Sequence, residues 1–208
     1  MIYICQAERS RSPVSDFDFA QSDNHCSFNM KSRLLILSDL FGGNNPEWIK
    51  MYSEILESKF EIQYYDVLEL ANIPSDNFIE SDIHDQLLKR GIDKAVENLL
   101  QLEAGKIMIL GFSVGGTIAW KASLQGLDIT HLFAVSSTRL RYETEAPNSI
   151  IKLYFGEKDP SKPISKWFLD LNLENEILRD NHHQLYLIEN NAALICSDIL
   201  KSYSNSGF

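Results

Sequence analysis

Residues 111–115, Gly111-Phe112-Ser113-Val114-Gly115, read G-x-S-x-G. Small residues on both sides let a backbone turn sharply enough to hold a serine in a strained conformation with its hydroxyl in the open, as a nucleophile requires. Gly116 adds room for close packing behind it. The same residues would also serve as a glycine-rich helix start with Ser113 as its N-cap, so the motif needs partners before it means chemistry. A serine hydroxyl is a weak nucleophile until a neighbouring base takes its proton, and that base needs a carboxylate to orient it.

Both partners have candidates downstream. Gly156-Glu157-Lys158-Asp159-Pro160 follows an apolar run and places carboxylates in a loop. Asp159 is the expected acid, with Glu157 in reserve; the competing reading of Asp159 is a turn residue, since Asp before Pro favours turns. Asp180-Asn181-His182-His183-Gln184 precedes the last helical pattern. His183 is the expected base, being nearer that helix and leaving Asp180 at a turn position, and His182 is the alternative. His25, His84 and His131 lie in a polar leader, on a long helix and at a strand start, where surface or packing roles are expected.

The elements around these residues alternate. Strands are expected at 34–37, 61–67, 106–110, 130–135 and 150–155, with a weaker one at 176–179. The first helix has Asn45 as cap and Pro46 at its first position, with Trp48, Tyr52, Ile55 and Leu56 at helical spacing. Ile83, Leu87, Leu88, Ile92, Val96, Leu99 and Leu100 form the apolar stripe of one long helix whose weak position is Gly91. Further helices are expected at 113–125, closed by Gly126, and at 164–171. A terminal helix carries Ile188, Ala192, Ile195, Cys196, Ile199, Leu200 and Tyr203 on one face. Near-continuous apolar strands alternating with helices imply an α/β three-layer sandwich, a mostly parallel sheet covered on both faces. Ligands then bind beyond the carboxyl ends of the strands, where Ser113, Asp159 and the His182-His183 pair all fall.

Composition narrows the class. The 208 residues are 44% hydrophobic and 23% charged, ordinary for one globular domain. Nineteen basic against twenty-nine acidic side chains give a net charge of −10, which opposes nucleic acid and anionic membranes as partners. Cys5, Cys26 and Cys196 match neither a disulfide framework nor a zinc pattern. No apolar run approaches the ~18 residues of a membrane span. The expected location is the cytoplasm, with no metal and no cofactor, because neither a dinucleotide fingerprint nor a P-loop accompanies the strands. Residues 1–29 are polar and aperiodic and read as a poorly ordered leader or extension, leaving 30–208 as the folded domain.

The order nucleophile, acid, base is that of α/β-hydrolases and of neither chymotrypsin-like nor subtilisin-like proteases. Residues 31–203 resemble a small, capless α/β-hydrolase. Leu37-Ser38-Asp39-Leu40-Phe41-Gly42-Gly43 and Gly111-Phe112-Ser113-Val114-Gly115-Gly116 are similar to its dienelactone-hydrolase-like branch. The resemblance implies an oxyanion hole formed by the Leu40 and Val114 N–H groups, with Phe41 replacing Leu40 if the loop is shifted by one. Ser113 stands where that branch carries Cys and Asp39 where it carries Glu, which argues against a dienelactone substrate. Phe41, Phe112 and Arg139 are the expected substrate contacts, Arg139 and Arg141 being able to hold a carboxylate. Only fourteen residues, 136–149, separate the fourth strand from the fifth, too few for a lid domain.

The expected function is therefore a serine hydrolase cleaving small or exposed carboxylic esters or thioesters through an acyl-enzyme. The alternative is a catalytically silent protein of the same fold that binds a ligand or partner. The two separate on whether a base nitrogen reaches Ser113 Oγ.

Overall fold

The computed structural model describes residues 31–43, 46–74 and 79–205; the leader at 1–29 and Asn45 lie outside them. The described residues belong to one unit, Lys31–Phe208. Six parallel strands form its sheet in the order β2-β1-β3-β4-β5-β6. They are β1 (Ser32–Leu37), β2 (Phe60–Tyr65), β3 (Ile107–Phe112), β4 (Ile129–Val135), β5 (Ile150–Gly156) and β6 (Glu174–Leu178). From β1 the chain goes first to one neighbour, β2, and then returns across β1 to β3. Loops leaving β1 and β3 thus part in opposite directions and open a crevice at the carboxyl edge.

Strand periodicity sorts side chains into two cores. Leu34 and Ile36 of β1, Met108, Leu110 and Phe112 of β3 and Phe133 of β4 face one layer. That layer holds α1 (Glu47–Leu56) and α7 (Glu189–Asn205), which contribute Ile49, Tyr52 and Leu56, and Ala192, Ile195, Cys196 and Ile199. Leu35, Leu37, Ile109, Leu132 and Ala134 face the other, with α2 (Val67–Leu70), α4 (Ile92–Leu102) and α5 (Val114–Leu124). Both faces of the central strands are buried, which is why they read as unbroken apolar runs. Fully burying each such Leu or Ile stabilises the fold by roughly 1.5–3 kcal/mol.

α5 is buried nearly all round, from Val114 through Ala119 and again at Trp120 and Ala122. Its small residues let it lie directly on the sheet: a Cβ on Gly115 would stand 2.7 Å from the Leu37 carbonyl. A helix held on every side keeps its first residue fixed.

Several boundaries differ from the sequence pattern. Pro46 is the cap of α1, so the helix starts at Glu47, one position later than expected. The second strand ends at Tyr65 because the Asp66 carboxylate accepts the Leu68 N–H at 2.8 Å and starts α2 there. The expected long helix is three pieces: α3 (Glu80–Gln86), a π-helical turn (Leu87–Gly91) and α4. Gly91 fits this turn closely, since a Cβ there would lie 3.0 Å from Ile73 Cδ1 and 3.1 Å from the Gln86 carbonyl. The short last strand begins at Glu174, and a 3₁₀ turn (Leu185–Leu187) precedes α7. Among the described residues no helix is long and apolar enough to cross a membrane.

Candidate active site

Ser113 lies between the end of β3 and the start of α5 with φ 48° and ψ −113°. A non-glycine residue at such a φ costs on the order of 1–3 kcal/mol and persists only where its surroundings over-determine it. Here they do: the Ser113 N–H donates to the Val135 carbonyl at 2.8 Å, and the buried α5 begins at the next residue.

Asp159, 1% exposed, follows β5. Its Oδ1 accepts the Ser161 N–H at 2.9 Å, and its Oδ2 lies 2.7 Å from His183 Nδ1. His183 Nε2 lies 3.0 Å from Ser113 Oγ. An ionised carboxylate can only accept, so the Nδ1 proton points at Asp159 and Nε2 presents its lone pair to the serine. The imidazole can then withdraw the hydroxyl proton while the buried carboxylate offsets the charge that forms.

The loop carrying His183 is held from below. Lys158 N–H donates to the Asn181 carbonyl at 2.9 Å, and Ser136 Oγ donates to the His183 carbonyl at 2.5 Å. A Cβ on Gly156 would stand 2.5 Å from the His182 carbonyl, so glycine alone admits this approach. Glu157 is aimed at the backbone: its carboxylate accepts the Asp180 N–H at 3.1 Å. The His182 side chain is exposed and lines the cavity, but the relay to Ser113 runs through His183.

The loop after β1 supplies Leu40. Phe41 N–H donates to Asp39 Oδ1 at 3.1 Å, which removes it as a free donor, whereas Leu40 N–H has no hydrogen-bond partner among the described residues. Gly43 N–H is taken by Asp66 Oδ2 at 2.7 Å, and Tyr64 hydroxyl donates to the Gly43 carbonyl at 3.0 Å. Asp39 itself is 3% exposed. Burial pushes its carboxyl above the usual range, against the hydrogen bonds from Tyr186 and Phe41.

A cavity of about 510 Å³ opens over Ser113 and is lined by Leu40, Phe41, Val114 and Arg139, among others. One expectation changes here. Phe112 does not reach it: the ring is fully buried among Trp48, Tyr52 and Tyr186, because alternate residues of β3 face opposite layers. His84 is exposed, as expected of a surface histidine, and it also lines the cavity together with Glu80, Leu87 and Leu88. The segment between β4 and β5 carries only a 3₁₀ turn (Thr138–Tyr142). Its Arg141 is occupied by the Thr138 and Ser161 carbonyls and the Tyr142 hydroxyl, while Arg139 faces the cavity. The wall from α3 and the π turn had one sequence signal, Gly91 within a helical stripe. Tyr186, three residues beyond the histidine pair, had none.

Among the described residues no group of three His, Cys, Asp or Glu side chains is placed to hold a metal ion.

No protein-family model and no curated protein sequence matches the chain. Solved structures do. A candidate hydrolase of the alpha/beta superfamily from Xanthomonas campestris pv. campestris is 17% identical, with 83% of this chain and 99% of that chain covered and a TM-score of 0.61. Mouse alpha/beta hydrolase domain-containing protein 10 is 12% identical over 85% of this chain and 91% of its own, at a TM-score of 0.60. A candidate dienelactone hydrolase from Klebsiella pneumoniae subsp. pneumoniae is 14% identical over 83% and 86%, at 0.61.

Proposed function

We propose that this chain, which has the α/β-hydrolase fold, is a serine hydrolase that cleaves carboxylic esters or thioesters through an acyl-enzyme. The observation that carries this reading is the relay from Ser113 Oγ through His183 to the buried Asp159, at 3.0 and 2.7 Å, on a serine held at φ 48°. Direct reach of Nε2 to the serine is also what a silent binding protein would not need.

In this mechanism Ser113 Oγ attacks the substrate carbonyl as His183 Nε2 takes its proton. The Leu40 and Val114 N–H groups face the oxygen on which charge develops, each such donor being worth roughly 3–4 kcal/mol in comparable sites. His183 then gives its proton to the departing alcohol or thiol, leaving an ester on Ser113, and a water activated by the same nitrogen releases the acid. Phe41, Leu87 and Leu88 give the cavity an apolar side for an acyl group, and its openness suits a small or protruding one. Arg139 is the cavity cation positioned to meet a substrate carboxylate.

Ser113→Ala is expected to abolish p-nitrophenyl acetate hydrolysis and labelling by a fluorophosphonate probe. Labelling that persists in the variant overturns the assignment.

A further inference from the structure

The Asp39 carboxylate joins two parts of the site that are far apart in sequence. Its Oδ1 accepts the Phe41 N–H at 3.1 Å, and its Oδ2 accepts the Tyr186 hydroxyl at 2.8 Å. Tyr186 is 1% exposed and belongs to the 3₁₀ turn just beyond His183. Its own carbonyl accepts the Tyr52 hydroxyl at 2.9 Å, so the tyrosine is anchored to α1 as well. Neither Asp39 oxygen is engaged with Ser113.

A carboxylate is costly to bury, and a turn of this kind forms readily around a neutral side chain. Burying one here needs a reason beyond shaping the turn. The geometry supplies it: a single ionised group accepts from the backbone of the oxyanion loop and from a side chain of the base loop. Charge-assisted hydrogen bonds of this type are shorter and stronger than neutral ones, and inside a water-excluded layer they hold separation tightly.

We propose that Asp39 is a positioning residue that ties the loop carrying the Leu40 amide to the segment carrying His183. It sets the distance between the oxyanion donor and the base without touching substrate. The kinetic consequence rests on the serine-hydrolase reading; the physical tie between the loops does not.

Tyr186→Phe tests it with the smallest change, deleting one oxygen while keeping the ring against Trp48 and Phe112. The expected result is a kcat for p-nitrophenyl acetate about tenfold lower with KM within about twofold, the signature of an interaction used in the transition state. An amide offers one acceptor oxygen where the carboxylate offers two, so Asp39→Asn leaves either the Phe41 N–H or the Tyr186 hydroxyl without its acceptor, and its kcat is expected to fall severalfold as well, with KM within about twofold. Hydrogen–deuterium exchange in Tyr186→Phe accelerates in residues 38–43 as well as 182–188 and not in the rest of the sheet. Unchanged exchange in 38–43 overturns the tie. A loss of thermal stability with kcat per folded molecule unchanged overturns the positioning role. If wild type itself turns over no ester, the hydrolase reading fails and the exchange data alone decide whether Asp39 joins the loops.

Discussion

At the scale of single residues, adjacent histidines have different surroundings. His183 has one ring nitrogen on Asp159 and the other on Ser113, whereas the His182 side chain is exposed and its backbone carbonyl is what packs against Gly156. His183→Gln is therefore expected to lower kcat/KM for p-nitrophenyl acetate by at least ~10³-fold. His182→Gln should leave it within about threefold, since substitutions at exposed positions rarely propagate. Comparable losses in both variants would reject the assignment of base. These three side chains could be found from sequence because their carriers are turns at strand ends, with order and residue type fixed by chemistry. Phe112 misled for a physical reason: next to Ser113 in sequence is not next to it in space when a strand sends alternate side chains to opposite faces.

Among the elements, legibility followed burial. β1, β3 and α7 were readable because burial on two faces, or along one stripe, writes a strong pattern. α2 begins at Val67, the last residue of the expected strand, and its signal was the capping carboxylate of Asp66. The break between α3 and α4 was hidden because a π turn keeps helical spacing while adding one residue. That extra residue sets which face of α3 meets the cavity. Deleting the exposed Lys89 is expected to restore α-helical spacing and rotate α3 by about 100° relative to α4. His84 and Glu80 would leave the wall, KM for esters should change severalfold, and fluorophosphonate labelling of Ser113 should persist. Unaltered KM across a panel of acyl chain lengths would show that α3 does not shape the site.

On the scale of the whole molecule, stability and pH are linked through a residue remote from the site. His131 is 2% exposed near the start of β4, its ring stacked on Phe133. Burial lowers its pKa below the usual 6.5. The unfolded chain therefore binds this proton first as pH falls, so stability present above about pH 6.5 is lost as pH drops toward the folded value. The melting temperature should fall between about pH 7.5 and about pH 5, and His131→Gln, which has no proton to bind there, should flatten that slope. Parallel slopes for the two proteins would place the effect elsewhere.

Ser113 and Asp159 follow strands buried on both sides, while Glu80 and His84 of the cavity wall come from α3, whose one buried residue is Ile83. Under the proposed reading, chemistry and selectivity are thus carried by parts with separate tolerances to change. A library confined to the exposed positions of residues 80–88 could explore new substrates without disturbing the sheet on which turnover would depend, which makes this short helix the natural handle for redirecting the protein.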